Sequence, residues 1–194
     1  MNRQQIQAIF NGFFTQCGTE IGMLGRINRN RILKESDFQA MFYHYIRNNH
    51  ETLHIQTEAD YPAPNDSQSC DYKLSDGYGD LWIERKIVAR SLNTPPFQDG
   101  NNQIHIGRWE DDCDRMSQDL PEDDFKVFIV FGVFDFTRNT INAAERQTFT
   151  DVSAFFNPEG NPPENPISTI IEGFHWKNNL GSFSLNAYAW YKFL

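Results

Sequence analysis

The sequence contains no run of about 18 apolar residues, so it has no segment suited to crossing a membrane as a helix. Gln4, Gln5, Gln7, Asn11, Gln16 and Glu20 interrupt its beginning, which leaves no apolar stretch of the kind a secretory signal needs. Cysteine is scarce. Cys17, Cys70 and Cys113 stand far apart in no zinc or iron–sulfur spacing, and an odd count argues against a disulfide framework. They read as small buried hydrophobes in a reducing cytoplasm, which is the expected location. No GxxxxGK[ST] or GxGxxG occurs, so a nucleotide-binding enzyme would lack its phosphate cradle. No GxSxG occurs either. The histidines (His44, His50, His54, His105 and His175) are not expected to build a zinc hydrolase. There are no internal repeats and no low-complexity tract.

What is present suits one globular domain over residues 1–194. Hydrophobic residues make up 39% of the chain, and 17 phenylalanines supply much of a core. The net charge of -9 weakens a nucleic-acid reading, but its distribution matters more than its sum. Residues 110–124 alone carry -7 and read as a solvated helix and loop. Residues 1–34 carry +4, from Arg3, Arg26, Arg29, Arg31 and Lys34 against Glu20. A basic face is therefore possible, and Arg26, Arg29, Arg31 and Lys34 are candidates to clamp a phosphate backbone.

Periodicity predicts a helix over 3–24 and a second over 37–48 with Ser36 as its N-cap. Three short strands follow, over 52–58, 69–74 and 80–88, with Asp76-Gly77 as a hairpin turn between the last two. A helix over 103–119 leads to a strand over 125–136, apolar enough to be central and covered on both faces. Beyond it the text reads as irregular, with a surface loop over 157–166. A strand or helix over 167–176 and a late strand over 182–193 complete the chain.

The chemistry concentrates in residues 70–88, CDYKLSDGYGDLWIERKIV. Glu84 and Lys86 are two apart on one strand, so their side chains leave the same face. A hairpin can bring Asp71 beside Glu84. Two adjacent carboxylates repel unless a cation or proton lies between them. Hard oxygen ligands suit Mg²⁺, or Mn²⁺ in its place, rather than zinc. A neighbouring lysine can orient or help deprotonate a water, or neutralise charge on phosphate. Lys73 shares the face of Asp71 and could touch phosphate. Arg85 needs a partner or an exposed face, because Ile83 and Ile87 beside it look buried.

Asp71 followed by Glu84-Arg85-Lys86 resembles the D…(D/E)xK signature of the restriction-endonuclease-like nucleases. The resemblance covers about residues 35–136, and 1–34 and 137–194 would be accessory elements. It implies an α/β fold with a central mixed sheet flanked by helices. It implies that Asp71, Glu84 and the backbone carbonyl of Arg85 ligate the metal while Lys86 positions the attacking water. Family members often add another acid, for which Glu58 at the end of the first strand is preferred to Glu35. His105 or Gln103 could assist from the following helix.

The expected function is a Mg²⁺-dependent endonuclease acting on double-stranded DNA, of the site-specific restriction type. A homodimer would supply one site per strand. The alternatives are a repair or RNA nuclease of the same fold, and a catalytically inactive module that binds DNA or protein.

Overall fold

The computed structural model describes residues 1–27, 35–89, 106–134, 143–157, 167–175 and 182–194. Helix α1 (Arg3–Ile27) starts on a reciprocal cap. The Gln5 amide donates to Asn2 Oδ1 at 3.0 Å, and the Asn2 amide donates to Gln5 Oε1 at 2.8 Å. Its buried stripe is Ile6, Ile9, Phe10, Phe13, Phe14 and Cys17, the 3–4 spacing of one helix face. Helix α2 (Glu35–Asn49) begins a residue ahead of Ser36, so Ser36 lies within the first turn rather than capping it. Phe38, Met41, Phe42, Tyr45 and Ile46 form its buried side.

Strands β1 (His54–Asp60), β2 (Ser69–Ser75) and β3 (Asp80–Ala89) form an antiparallel meander. The β2–β3 turn is built by Asp76, whose Oδ1 accepts the amides of Tyr78 and Gly79 at 3.0 and 3.1 Å. Gly77 supplies the positive φ of 84° that the turn requires. Helix α3 (Ile106–Asp119) follows β3, and strand β4 (Phe125–Phe134) pairs parallel to β3. Helix α4 (Ala143–Phe156) and strands β5 (Ile167–His175) and β6 (Ser182–Phe193) complete the chain. The described strands form one six-stranded mixed sheet in the order β1-β2-β3-β4-β6-β5, antiparallel except at β3–β4.

β4 is covered on both faces. Val127, Ile129 and Phe131 join the cluster that holds the stripes of α1 and α2. Phe131 meets the rings of Phe13, Phe14 and Phe38 at 5.6, 6.1 and 5.3 Å. On the other face Phe128 and Val130 pack with Trp109 and Cys113 of α3 and Val152 of α4. A third cluster lies beside it, where Trp82 packs with Met116 and Leu120. Burying each such side chain contributes about 1.5–3 kcal/mol. Helix α4 was not foreseen, because its text (AAERQTFTDVSAFF) mixes polar residues with a short apolar side. Residues 167–175, open to strand or helix on sequence, form a strand. Cys17, Cys70 and Cys113 are buried free thiols. Among the described residues no helix is long and apolar enough to cross a membrane.

Helices α1 and α2 cross closely at Gly12. A methyl group built there would overlap the Tyr45 hydroxyl, in a buried contact. Gly12→Ala is expected to destabilise the protein by about 1–3 kcal/mol despite better helix propensity. Removing the hydroxyl with Tyr45→Phe should recover most of that loss. Denaturant melts of the single and double variants check both.

Candidate active site

The β2–β3 ladder runs from Ser75–Asp80 to Tyr72–Ile83. At the next position the Asp71 side chain takes over from the backbone. Asp71 Oδ2 accepts the Arg85 amide at 2.7 Å, and Oδ1 lies 3.4 Å from the Arg85 guanidinium. The carboxylate is thereby fixed against β3 next to Glu84. Trp82 is anchored nearby, donating from Nε1 to Asp124 Oδ2 at 3.0 Å.

Alternation along β3 splits its charges between the two faces. Arg85 turns toward the α1–α2 side and is only 2% exposed. Its guanidinium donates to the Tyr72 hydroxyl at 2.8 Å and lies 5.3 Å from the centre of the Tyr72 ring. This is the partner that a buried arginine among isoleucines demands. Glu84 and Lys86 turn toward α3. Lys86 Nζ lies 2.6 Å from Glu84 Oε1 and 2.8 Å from Asp112 Oδ2. Asp112 in turn holds Arg115 at 2.7 Å.

Burial pushes the Glu84 carboxyl up from its usual range. Lys86 pulls it down, and the nearby charges of Asp71 and Asp112 add to the rise. Burial alone would lower the Lys86 ammonium, but Glu84 and Asp112 outweigh it and raise the group above the usual lysine range. Lys86 therefore stays a cation at neutral pH. It can orient a water or neutralise charge on phosphate, but it has no free base form to take a proton.

The other sequence candidates fall elsewhere. Glu58 is exposed, at a break in the β1 ladder where its φ of 48° is left-handed, and it accepts Gln39 Nε2 at 3.0 Å. Lys73 bonds Asp80 at 2.6 Å and sits 4.6 Å from the centre of the Trp82 ring. Arg26 lies in the last turn of α1. Arg29, Arg31, Lys34, Gln103 and His105 lie outside the described residues.

The donors present fit a hard divalent cation in kind. Asp71 and Glu84 offer carboxylate oxygens, the hard donors that such an ion takes. Among the described residues no three His, Cys, Asp or Glu gather into a metal-holding group. The side-chain set is thus the pair alone, and Glu58 does not join it in such a group.

Two sequence signals were passed over. Trp109, Cys113 and Met116 form the buried stripe of α3, Leu120 continues it just past the helix end, and Asp112 borders it. Its place in the 110–124 acidic segment disguised a residue that faces the sheet. Residues 50–54 also read His-Glu-Thr-Leu-His, the HExxH order of zinc hydrolases. That chemistry needs both histidines on one helix face. Here α2 ends at Asn49 and β1 begins at His54, which is exposed. The His50 ring lies 3.3 Å from the Tyr45 hydroxyl.

Comparisons with protein-family models, with curated proteins and with solved structures find no match to this chain.

Glu84 binds its proton more tightly in the folded chain than in the unfolded one. Its contribution to stability is therefore fully present below its ordinary value of 4.5 and is lost as pH rises through the raised folded value. Glu84→Gln should remove that dependence. The melting temperature of the variant minus that of the unmodified protein is expected to climb as pH rises above 4.5 and to level off once the raised carboxyl has ionised. A difference that stays flat contradicts the assignment.

Proposed function

We propose that the protein is a Mg²⁺-dependent DNA endonuclease of the restriction-endonuclease-like kind, hydrolysing phosphodiester bonds in double-stranded DNA. The observation that carries this reading is the cluster on β2 and β3. Asp71 is fixed to the Arg85 amide, Glu84 is desolvated beside it, and Lys86 is bonded to Glu84 from the same strand face. Asp71, Glu84 and the Arg85 carbonyl would hold the cation, with Mn²⁺ able to substitute. When bound, Mg²⁺ supplies Lewis acidity toward a water and a phosphoryl oxygen.

The chain's own residues would do the rest. Lys86, a permanent ammonium, would orient the attacking water and offset charge that gathers on the phosphate. Arg85 and Tyr72 would keep Asp71 in place from the opposite face of the sheet. A homodimer would place one such site on each strand. Glu58 stays a candidate for a supporting acid. Arg26, Arg29, Arg31, Lys34 and Lys73 stay candidates for phosphate contacts.

A second reading is favoured by one feature. Lys86 is bonded to two carboxylates at once, an arrangement that would also suit a closed structural ion cluster. The protein would then be a nuclease-fold module that binds DNA or protein without cutting.

Incubation with mixed plasmid and phage DNA separates the two. Cleavage is expected with Mg²⁺ and not with EDTA. Asp71→Ala, Glu84→Ala and Lys86→Ala should each reduce it by roughly 10²-fold or more. Discrete fragments indicate site specificity, and a smear a nuclease without it. No cleavage of duplex, single-stranded DNA or RNA by folded protein would overturn the enzyme reading.

A further inference from the structure

Lys86 sits between two carboxylates that belong to different elements. Glu84 shares its strand and faces the proposed cation. Asp112 comes from α3, across the crossover that joins β3 to β4. The two contacts are of similar length, 2.6 and 2.8 Å, so the ammonium has two anchors at once. Asp112 is itself held by Arg115 at 2.7 Å, and Arg115 also faces the Tyr61 phenol. Met116 and Leu120 are buried under Trp82, and Cys113 packs beside Phe128, so α3 cannot easily withdraw the carboxylate.

A divalent cation and an ammonium compete for one carboxylate. A lysine whose only anchor was Glu84 would either block the cation or be driven off by it. We infer that Asp112 is a positioning residue of this site, holding the Lys86 ammonium when Glu84 turns its charge to a divalent cation. The inference rests on the metal-dependent reading above and adds a residue that the D…(D/E)xK pattern does not contain. Asp112 touches neither metal nor substrate. It acts through Lys86, which keeps Lys86 beside the site and Glu84 free to ligate.

The test is Mn²⁺ binding to the full chain, read by the paramagnetic signal of the free ion, with circular dichroism to show that each variant is folded. Unmodified protein, Asp112→Asn, Lys86→Met and the double variant are compared. In Asp112→Asn the ammonium falls back on Glu84, and Mn²⁺ affinity is expected to drop about tenfold, as for outer partners of metal ligands. Asp112→Glu, which restores the charge, should recover part of it. With Lys86→Met in place there is no ammonium to compete, so adding Asp112→Asn should change affinity less than twofold, well inside that tenfold scale. An equal loss in both backgrounds means that Asp112 acts on the ion directly, and overturns the inference. Unchanged affinity in Asp112→Asn overturns it too, while leaving the metal site standing. If folded unmodified protein binds no Mn²⁺, the metal-dependent reading fails and the inference falls with it.

Discussion

The Lys86 ammonium, shared between Glu84 on β3 and Asp112 on α3, holds the charge cluster together. It binds the sheet to the helix that crosses over it. Two acids on separate elements approach each other here, and a single half-buried cation between them makes that tolerable. The parallel β3–β4 pairing is what brings α3 over this face, because parallel neighbours need a crossover. The topology and the charge cluster are therefore one constraint seen at two scales.

On the opposite face the same strand solves a second charge problem. Arg85 lies among Ile83, Tyr72 and the apolar stripes of two helices, where an unpaired guanidinium would cost several kcal/mol. Tyr72 takes one end and Asp71 the other, and Asp71 also caps the broken ladder by accepting the Arg85 amide. Three consecutive residues of β3 thus clamp the site from both sides of the sheet. Well-packed apolar residues of similar volume could fill such places at lower cost, so these pairs are not themselves a measure of stability.

Much of this was legible in the sequence. The Asp76-Gly77 turn fixed the hairpin, because that pair suits left-handed backbone at the bend. The apolar run of β4 announced a strand buried on both faces. Glu84 and Lys86 had to share a face by strand alternation alone. What stayed hidden was long-range or disguised. Asp112 looked like one acid among many, because charge density masks the single acid that borders a buried stripe. Helix α4 has few strongly apolar positions, and tertiary contact at Val152 and its neighbouring phenylalanines supplies what its text does not. The partners of Arg85 depended on pairing register, which turn chemistry suggests only in outline. Glu58 was placed by strand order, yet the left-handed backbone there aims it at Gln39 on α2.

Asp71 and Glu84 are proposed to hold a divalent cation together while Lys86 remains in place beside them. Anomalous diffraction from crystals of the full chain soaked in Mn²⁺ tests it most directly. A peak is expected between the Asp71 and Glu84 carboxylates, with the Lys86 ammonium still against Asp112. A well-ordered site with no peak, or one with Lys86 displaced from both acids, would contradict it.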